Sequence, residues 1–304
     1  MMPKQSIYYK KCLQAALYFG ISGLVTFTAC NKDPYLPNSE AKYVELGYGD
    51  ATYGNDNDAE PLMTGIKYMT YNIHAGAPPA NPGTTDLQAI ADAINAADPD
   101  IVFLQEVDKN TGRNGYNGDQ AKDLGELTQM NFTFYSAISY GKGFYGVAIL
   151  SKYPLKGVKK YLLPKENADE EQRVMGIAMV DLPGKDSIYV AVTHLQHNSA
   201  TSRVAQITEV GNIADNLQHR LLIGGDMNEK PSATDFFAVF DAHFTRGCSG
   251  VNCPNTFSAQ NPTSIIDYLA YKPANAFSVK SYAVMPEAKG SDHLPVVSEL
   301  NINR

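Results

Sequence analysis

The chain is short of positive charge. Its 304 residues hold 25 Lys and Arg against 32 Asp and Glu, a formal net charge of −7. Residues 1–29 contain Lys4, Lys10 and Lys11 and no acid, so residues 30–304 are about three units more negative still. A surface of that sign repels polyanions at long range and offers few cationic contacts to phosphates. Strong non-specific nucleic-acid binding is therefore not expected. No Gly-x-Ser-x-Gly elbow occurs, which argues against a metal-free serine hydrolase. No internal repeat is visible either, so the 304 residues and 44% hydrophobic content point to one large α/β domain or two small ones.

Cysteine is scarce, with four in all. Cys12 and Cys30 fall in an N-terminal segment that reads as a targeting signal. Lys4, Lys10 and Lys11 form its basic start, residues 13–29 are an apolar run softened by Gly20, Ser22, Gly23 and Thr26, and the run ends in Thr28-Ala29-Cys30. That ending resembles a bacterial lipoprotein processing site with Cys30 as the acylated residue, although Phe27 stands where an aliphatic side chain is usual. Asn31-Lys32-Asp33 is similar to the surface-export signals of some lipoproteins. The expectation is an exported protein at the outer membrane or cell surface, held there by a lipid anchor. An uncleaved anchor helix is the alternative. Cys248 and Cys253 remain, in a Gly-rich loop, and an oxidising compartment favours a disulfide between them. Two cysteines alone make a poor zinc site.

Residues 31–63 are polar, without sustained periodicity, and read as a tether before a domain spanning 64–304. Strands are expected at 66–72, 101–105, 132–138, 145–151, 174–181, 187–193, 220–224, 264–271, 278–284 and 295–300. Helices are expected after a Thr85 cap, with Leu87, Ile90, Ala91, Ile94 and Ala97 on one face, at 120–129, and at 199–218. Strands outnumber helices, which argues for two mixed sheets packed face to face with helices outside.

Polar clusters recur where apolar runs end, the place where an α/β fold presents groups to a ligand. They are Tyr71-Asn72-Ile73-His74, Gln105-Glu106-Val107-Asp108, Thr193-His194, Gly225-Asp226-Met227-Asn228 and Ser291-Asp292-His293. Mg²⁺ is a hard ion that keeps most of its waters and takes one or two carboxylates, so isolated strand-end acids with amides nearby suit it. Glu106 fits, with Asn72 able to hold it or a bound water; a surface ion pair and an Asx turn are the plain alternatives. Asp226 could polarise an attacking water and Asn228 could hold a phosphoryl oxygen, unless Gly225-Asp226 is only a turn. His293 is the natural proton acceptor near neutral pH, Asp267 its best partner, and His194 a second imidazole for developing charge. Taken alone, either histidine reads more readily as a satisfied structural one. Arg173 could clamp a phosphate, or pair with Glu170 or Glu171.

Taken together and in order, Asn72, Glu106, His194, Asp226, Asn228, Asp267, Asp292 and His293 resemble the endonuclease/exonuclease/phosphatase superfamily, which includes DNase I-like nucleases, neutral sphingomyelinases and inositol polyphosphate phosphatases. Residues 146–155 and Ile265-Ile266-Asp267-Tyr268 look like further family signatures, so the likeness covers roughly 64–302. It implies a four-layered α/β/β/α sandwich with the site at one edge of the sheets. It also implies Mg²⁺, or Mn²⁺ in its place, on Glu106 with Asn72, and Asp226 orienting the water beside Asn228. His293 would pair with Asp267, Asp292 would support it or touch the metal, and His194 would stabilise the transition state. Between His74 and Lys109 there is no Arg or Lys, unlike the basic clefts of DNA-cleaving relatives. The expected substrate is accordingly a phosphodiester of phospholipid, sphingomyelin or inositol-phosphate type, with a secreted nuclease or a catalytically silent surface binding module as alternatives. No segment points to a protein partner.

Overall fold

The computed structural model describes residues 43–45, 53–55, 57–250 and 252–304. The expected export signal and Cys30 lie outside them. In chain order the regular elements are β1 (Tyr43–Glu45), β2 (Gly65–Asn72), α1 (Leu87–Ala97), β3 (Ile101–Lys109), α2 (Gln120–Thr128), β4 (Asn131–Tyr140), β5 (Gly143–Ser151), β6 (Leu155–Leu162), β7 (Val174–Leu182), β8 (Asp186–His194), α3 (Ala200–Asn216), β9 (Leu221–Asp226), α4 (Thr234–His243), β10 (Thr245–Arg246), β11 (Asp267–Lys272), β12 (Phe277–Val284) and β13 (Val296–Ile302). They form a seven-stranded sheet in the order β1-β6-β7-β8-β9-β11-β10 and a six-stranded sheet in the order β12-β13-β2-β3-β5-β4.

Alternation along the strands explains the layering. In β3, Ile101 and Phe103 join the core between the sheets, while Val102 and Leu104 meet α1 and α2 through Ile90, Ile94 and Leu124. In β9, Leu222 faces the other sheet, while Leu221 and Ile223 pack on Ile207 and Val210 of α3 and Phe236 and Phe240 of α4. Central strands are thus apolar on both faces, which is why they read in the sequence as unbroken runs. The result is helix, sheet, sheet, helix: the expected DNase I-like sandwich.

Several local expectations need correcting. Asp86, not Thr85, caps α1: its side chain accepts the Ala89 N–H at 3.0 Å, and Thr85 instead donates to the Ala75 carbonyl. The presumed tether contributes to the domain, since residues 43–45 pair with β6 and Tyr53 exchanges hydrogen bonds with the Asn131 side chain. The strand expected over 264–271 begins only at Asp267 and runs to Lys272. Strand β3 runs four residues beyond its expected end, through a bulge at Glu106. The disulfide between Cys248 and Cys253 is formed.

Candidate active site

The same period of two builds the site. Leu222 and Gly224 face the opposite sheet, so Asp226 at the end of β9 does too; Val190 and Val192 carry His194 to that face at the end of β8. Strand β8 runs parallel to β9, and β11 antiparallel, with Asp267 directly beside Asp226 and His194 on its other side. Asn72 ends β2 in the facing sheet. The site is the open end of the seam between the two sheets.

Glu106 reaches this seam by a different device. The register of β3 shifts between Gln105 and Val107, and Glu106 has φ of 56°, so it is the extra residue of a β-bulge. The bulge releases its side chain from the alternation that would turn it towards α1 and α2. Its Oε1 accepts from Asn72 Nδ2 at 3.2 Å.

Asn72 joins the two sheets, because its Nδ2 also donates to Asp226 Oδ2 at 3.1 Å. Its Oδ1 takes the His74 N–H at 3.1 Å, so the Asx turn exists as well and fixes the amide orientation. Asp226 is held in the same way: Oδ1 accepts the Asn228 N–H at 2.8 Å, while Oδ2 faces the cavity chemistry. Oδ2 lies 3.5 Å from His194 Nε2 and 3.8 Å from His293 Nε2. His293 Nδ1 lies 3.1 and 3.0 Å from the two Asp267 oxygens. Thr256 Oγ1 donates to Asp267 Oδ2 at 2.5 Å, and the Phe257 ring lies 4.8 Å from the imidazole. Ser291 Oγ donates to the Asn72 carbonyl at 2.7 Å and ties the last cluster to β2.

Burial and crowding of acids set the protonation states. Burial lifts the Asp226 carboxyl to about 7, helped by Asp267 beside it and opposed by His293 and its hydrogen bonds. Burial alone would lower His293, but Asp267, Asp226 and Asp292 outweigh it and raise the imidazole to about 10. His293 is therefore an imidazolium at neutral pH, placed to donate a proton and not, as expected from the sequence, to accept one. His194 is driven the other way, well below the ordinary histidine range, by burial and then by Arg173 and His293. Asn228 Nδ2 lies 3.0 Å from His194 Nε2 and also donates to the Leu195 carbonyl, so Nε2 is an acceptor and the proton sits on Nδ1. That Nδ1 is buried and, among the described residues, has no hydrogen-bond partner.

A cavity of about 430 Å³ lies over these groups, lined among others by Glu106, Arg113, Arg173, His194, Asp226, Asn228, Asp292 and His293. Every expected catalytic, phosphate and metal residue of the domain reaches it except Asn72 and Asp267, which lie immediately behind, bonded to Asp226 and His293. Asp292 sits at the rim, with Oδ1 3.5 Å from His74 Nδ1. Of the two readings of Arg173, the ion pair is present, with Glu171 at 2.9 Å; the guanidinium also lines the cavity, with Nε donating to Gln196 and Nη2 3.3 Å from His197. Thr256, Phe257, His197, Tyr140, Tyr145 and Arg113 carry no signal in the sequence. Most come from loops or hairpins, whose positions no periodicity encodes.

A two-sheet sandwich with an Asp–His pair, a second histidine and a strand-end glutamate at the sheet seam defines a phosphoester hydrolase scaffold. The chain belongs to the Endonuclease/Exonuclease/phosphatase family, whose model matches residues 69–293. Members of this family are hydrolases of phosphoester bonds and generally use a divalent metal. The uncharacterised protein YbhP of Escherichia coli strain K12 is 26% identical over 249 residues, covering 78% of this chain and 96% of that protein. A family structure from Beutenbergia cavernae superposes with a TM-score of 0.66 and 26% identity over 79% of this chain and 72% of that one. A mannosyl-6-phosphatase of Bacteroides thetaiotaomicron shares the fold at a TM-score of 0.60 and 18% identity, over 77% of this chain and 99% of that one.

Proposed function

We propose that this protein is an exported, lipid-anchored phosphoesterase that hydrolyses a phosphodiester by metal-assisted, in-line attack of water. The observation that carries this reading is Asp226 Oδ2, placed 3.1 Å from Asn72 Nδ2, 3.5 Å from His194 and 3.8 Å from the His293–Asp267 pair in one cavity. The donor set fits a hard divalent cation. Oxygen ligands dominate, with Glu106, Asp226 and Asp292 all lining the one cavity. Asp226, Asp267 and His293 lie close enough together to hold an ion, but His293 Nδ1 and Asp267 are already committed to each other and to Thr256. Glu106, held in place by the Asn72 Nδ2 donor, and Asp292 at the rim are the better holders of Mg²⁺, with Mn²⁺ able to substitute. Asn72 itself turns its NH₂ to the site and its Oδ1 to the His74 N–H, so it orients the carboxylates and does not ligate. When bound, such an ion neutralises charge developing on the phosphoryl group.

The protein's own groups then divide the work. Asp226, titrating near neutrality, orients the water and accepts its proton. The His293 imidazolium, fixed by Asp267, offers Nε2–H to charge developing across from it. Asn228 and Arg173 supply amide and guanidinium donors for phosphoryl oxygens. His194 can donate from Nε2 only in its other tautomer, which the phosphate would favour once it occupies the Asn228 amide.

The acidic lining, with Glu106, Glu171, Asp226 and Asp292 against Arg113 and Arg173, favours a small diester of phospholipid, sphingomyelin or inositol-phosphate type over duplex DNA. Hydrolysis of a bis-aryl phosphate should be abolished by EDTA, return with Mg²⁺ or Mn²⁺, and fall at least roughly a hundredfold in His293→Ala and Glu106→Ala. Activity indifferent to chelation or to both substitutions would remove the mechanism. For the anchor, Cys30→Ser should abolish incorporation of labelled fatty acid in bacterial cells; labelling that persists would refute lipidation at that residue.

A further inference from the structure

One wall of the cavity is unused by the mechanism. It is built from Arg113, in the loop after β3, and from Tyr140 and Tyr145, on either side of the β4–β5 turn. Arg113 is held rigidly. Nε and Nη2 donate to the two Asp108 oxygens at 2.8 and 2.9 Å, and its guanidinium carbon lies 5.3 Å from the centroid of each tyrosine ring. The rings are 6.5 Å apart, and Tyr140 is 45% exposed. Asp108 itself is almost wholly buried and also accepts from Thr111 Oγ1 at 2.8 Å.

Resting on the phosphoesterase reading, we infer that Arg113 and Tyr140 form the subsite for the group esterified to phosphorus, and that they select a neutral, polyhydroxylated ring: a sugar or an unphosphorylated cyclitol. Three features point there. The bidentate Asp108 contact neutralises Arg113, so it is a poor site for a second phosphate, yet its remaining Nη1 hydrogens are free of Asp108 and can donate to hydroxyls. Glu171, which the proposed Mg²⁺ site leaves out, adds negative charge beside this wall and disfavours further anionic substituents. The exposed Tyr140 ring suits the C–H face of a saturated ring, while a flexible acyl chain would leave Arg113 Nη1 desolvated without an acceptor.

The test compares glycerophosphoinositol and glycerophosphoglucose with glycerophosphoethanol, which keeps the glycerol, the phosphate and the net charge but has no ring. Binding is measured by calorimetry on the full-length His293→Ala chain with Mg²⁺, so that the ester survives; turnover is measured on the wild type. Tighter binding of at least one ring ester, by roughly tenfold, is expected, with the difference lost in Tyr140→Ala and Arg113→Lys and kept in Tyr140→Phe. The two ring esters separate a cyclitol from a sugar. Equal binding of all three esters, or a preference that survives Tyr140→Ala, overturns the subsite. Ring preference without turnover would retain the subsite and sink the phosphoesterase; turnover without preference would do the reverse.

Discussion

Asp267 shows how much a single residue can control without touching a substrate. It lies next to Asp226 across the β9–β11 ladder, raising that carboxyl, and within 3.1 Å of His293, raising the imidazole to about 10. Replacing it by asparagine keeps the shape and removes the charge. Asp267→Asn should lower kcat by roughly a hundredfold and move the alkaline limb of the pH–rate profile down towards the ordinary histidine range. It should also change how stability depends on pH. A histidine raised on folding stabilises the native state fully below its unfolded value of about 6.5, and that contribution is lost as pH rises through about 10. The wild type should therefore lose melting temperature between about pH 6.5 and 10 more steeply than Asp267→Asn. Parallel melting curves across that window would refute the His293–Asp267 coupling.

At the scale of the element, the bulge in β3 matters most. Glutamate at φ of 56° is in the left-handed region, which costs a residue with a Cβ roughly 1–2 kcal/mol. Its position brings the side chain to Asn72 and the cavity. Glu106→Gly should therefore abolish hydrolysis while leaving stability within about 1 kcal/mol, because relief of strain offsets the added freedom of the unfolded chain. Glu106→Val should lose activity and a further 1–2 kcal/mol or so, since a β-branched side chain tolerates that backbone worst. Chemical denaturation of both variants decides it; equal stability would mean that the bulge relaxes when the glutamate is gone. The bulge also marks where sequence reading stops. Asn72, Glu106, His194 and Asp226 were legible because each follows a run buried on both faces. The backbone turn that frees Glu106 leaves no pattern. Strand β6 was obscured by Lys156, Lys159 and Lys160 along its length, and Ala233, the cap position before α4, makes no side-chain cap to announce the helix. Arg113 and Tyr140 come together only through the loop that follows β3 and the β4–β5 hairpin, whose meeting no periodicity encodes.

The whole molecule sets the site because neither sheet contains it. Asn72 and Glu106 belong to the six-stranded sheet, and His194, Asp226 and Asp267 to the seven-stranded one, so the sheet separation fixes the 3.1 Å bond between Asn72 and Asp226. Two residues before Asp226, Gly224 lets the sheets approach: a Cβ there would lie 2.3 Å from Phe103 Cδ2 and 2.9 Å from Leu269 Cδ2. Gly224→Ala must push the sheets apart or displace the Phe103 ring. It should cost about 1–3 kcal/mol as overpacking and lower kcat as well, because the seam opens where Asn72 meets Asp226. Gly83→Ala is the control, since its Cβ would meet nothing within 4 Å. Trimming the facing ring tests whether the link is mechanical. Phe103→Leu alone loses core volume and is destabilising, but in Gly224→Ala/Phe103→Leu the new methyl occupies part of the vacated space, so the two penalties should not add. Recovery of kcat in the double variant would tie catalysis to sheet spacing; additive losses in both stability and rate would show that Gly224 serves local backbone needs alone.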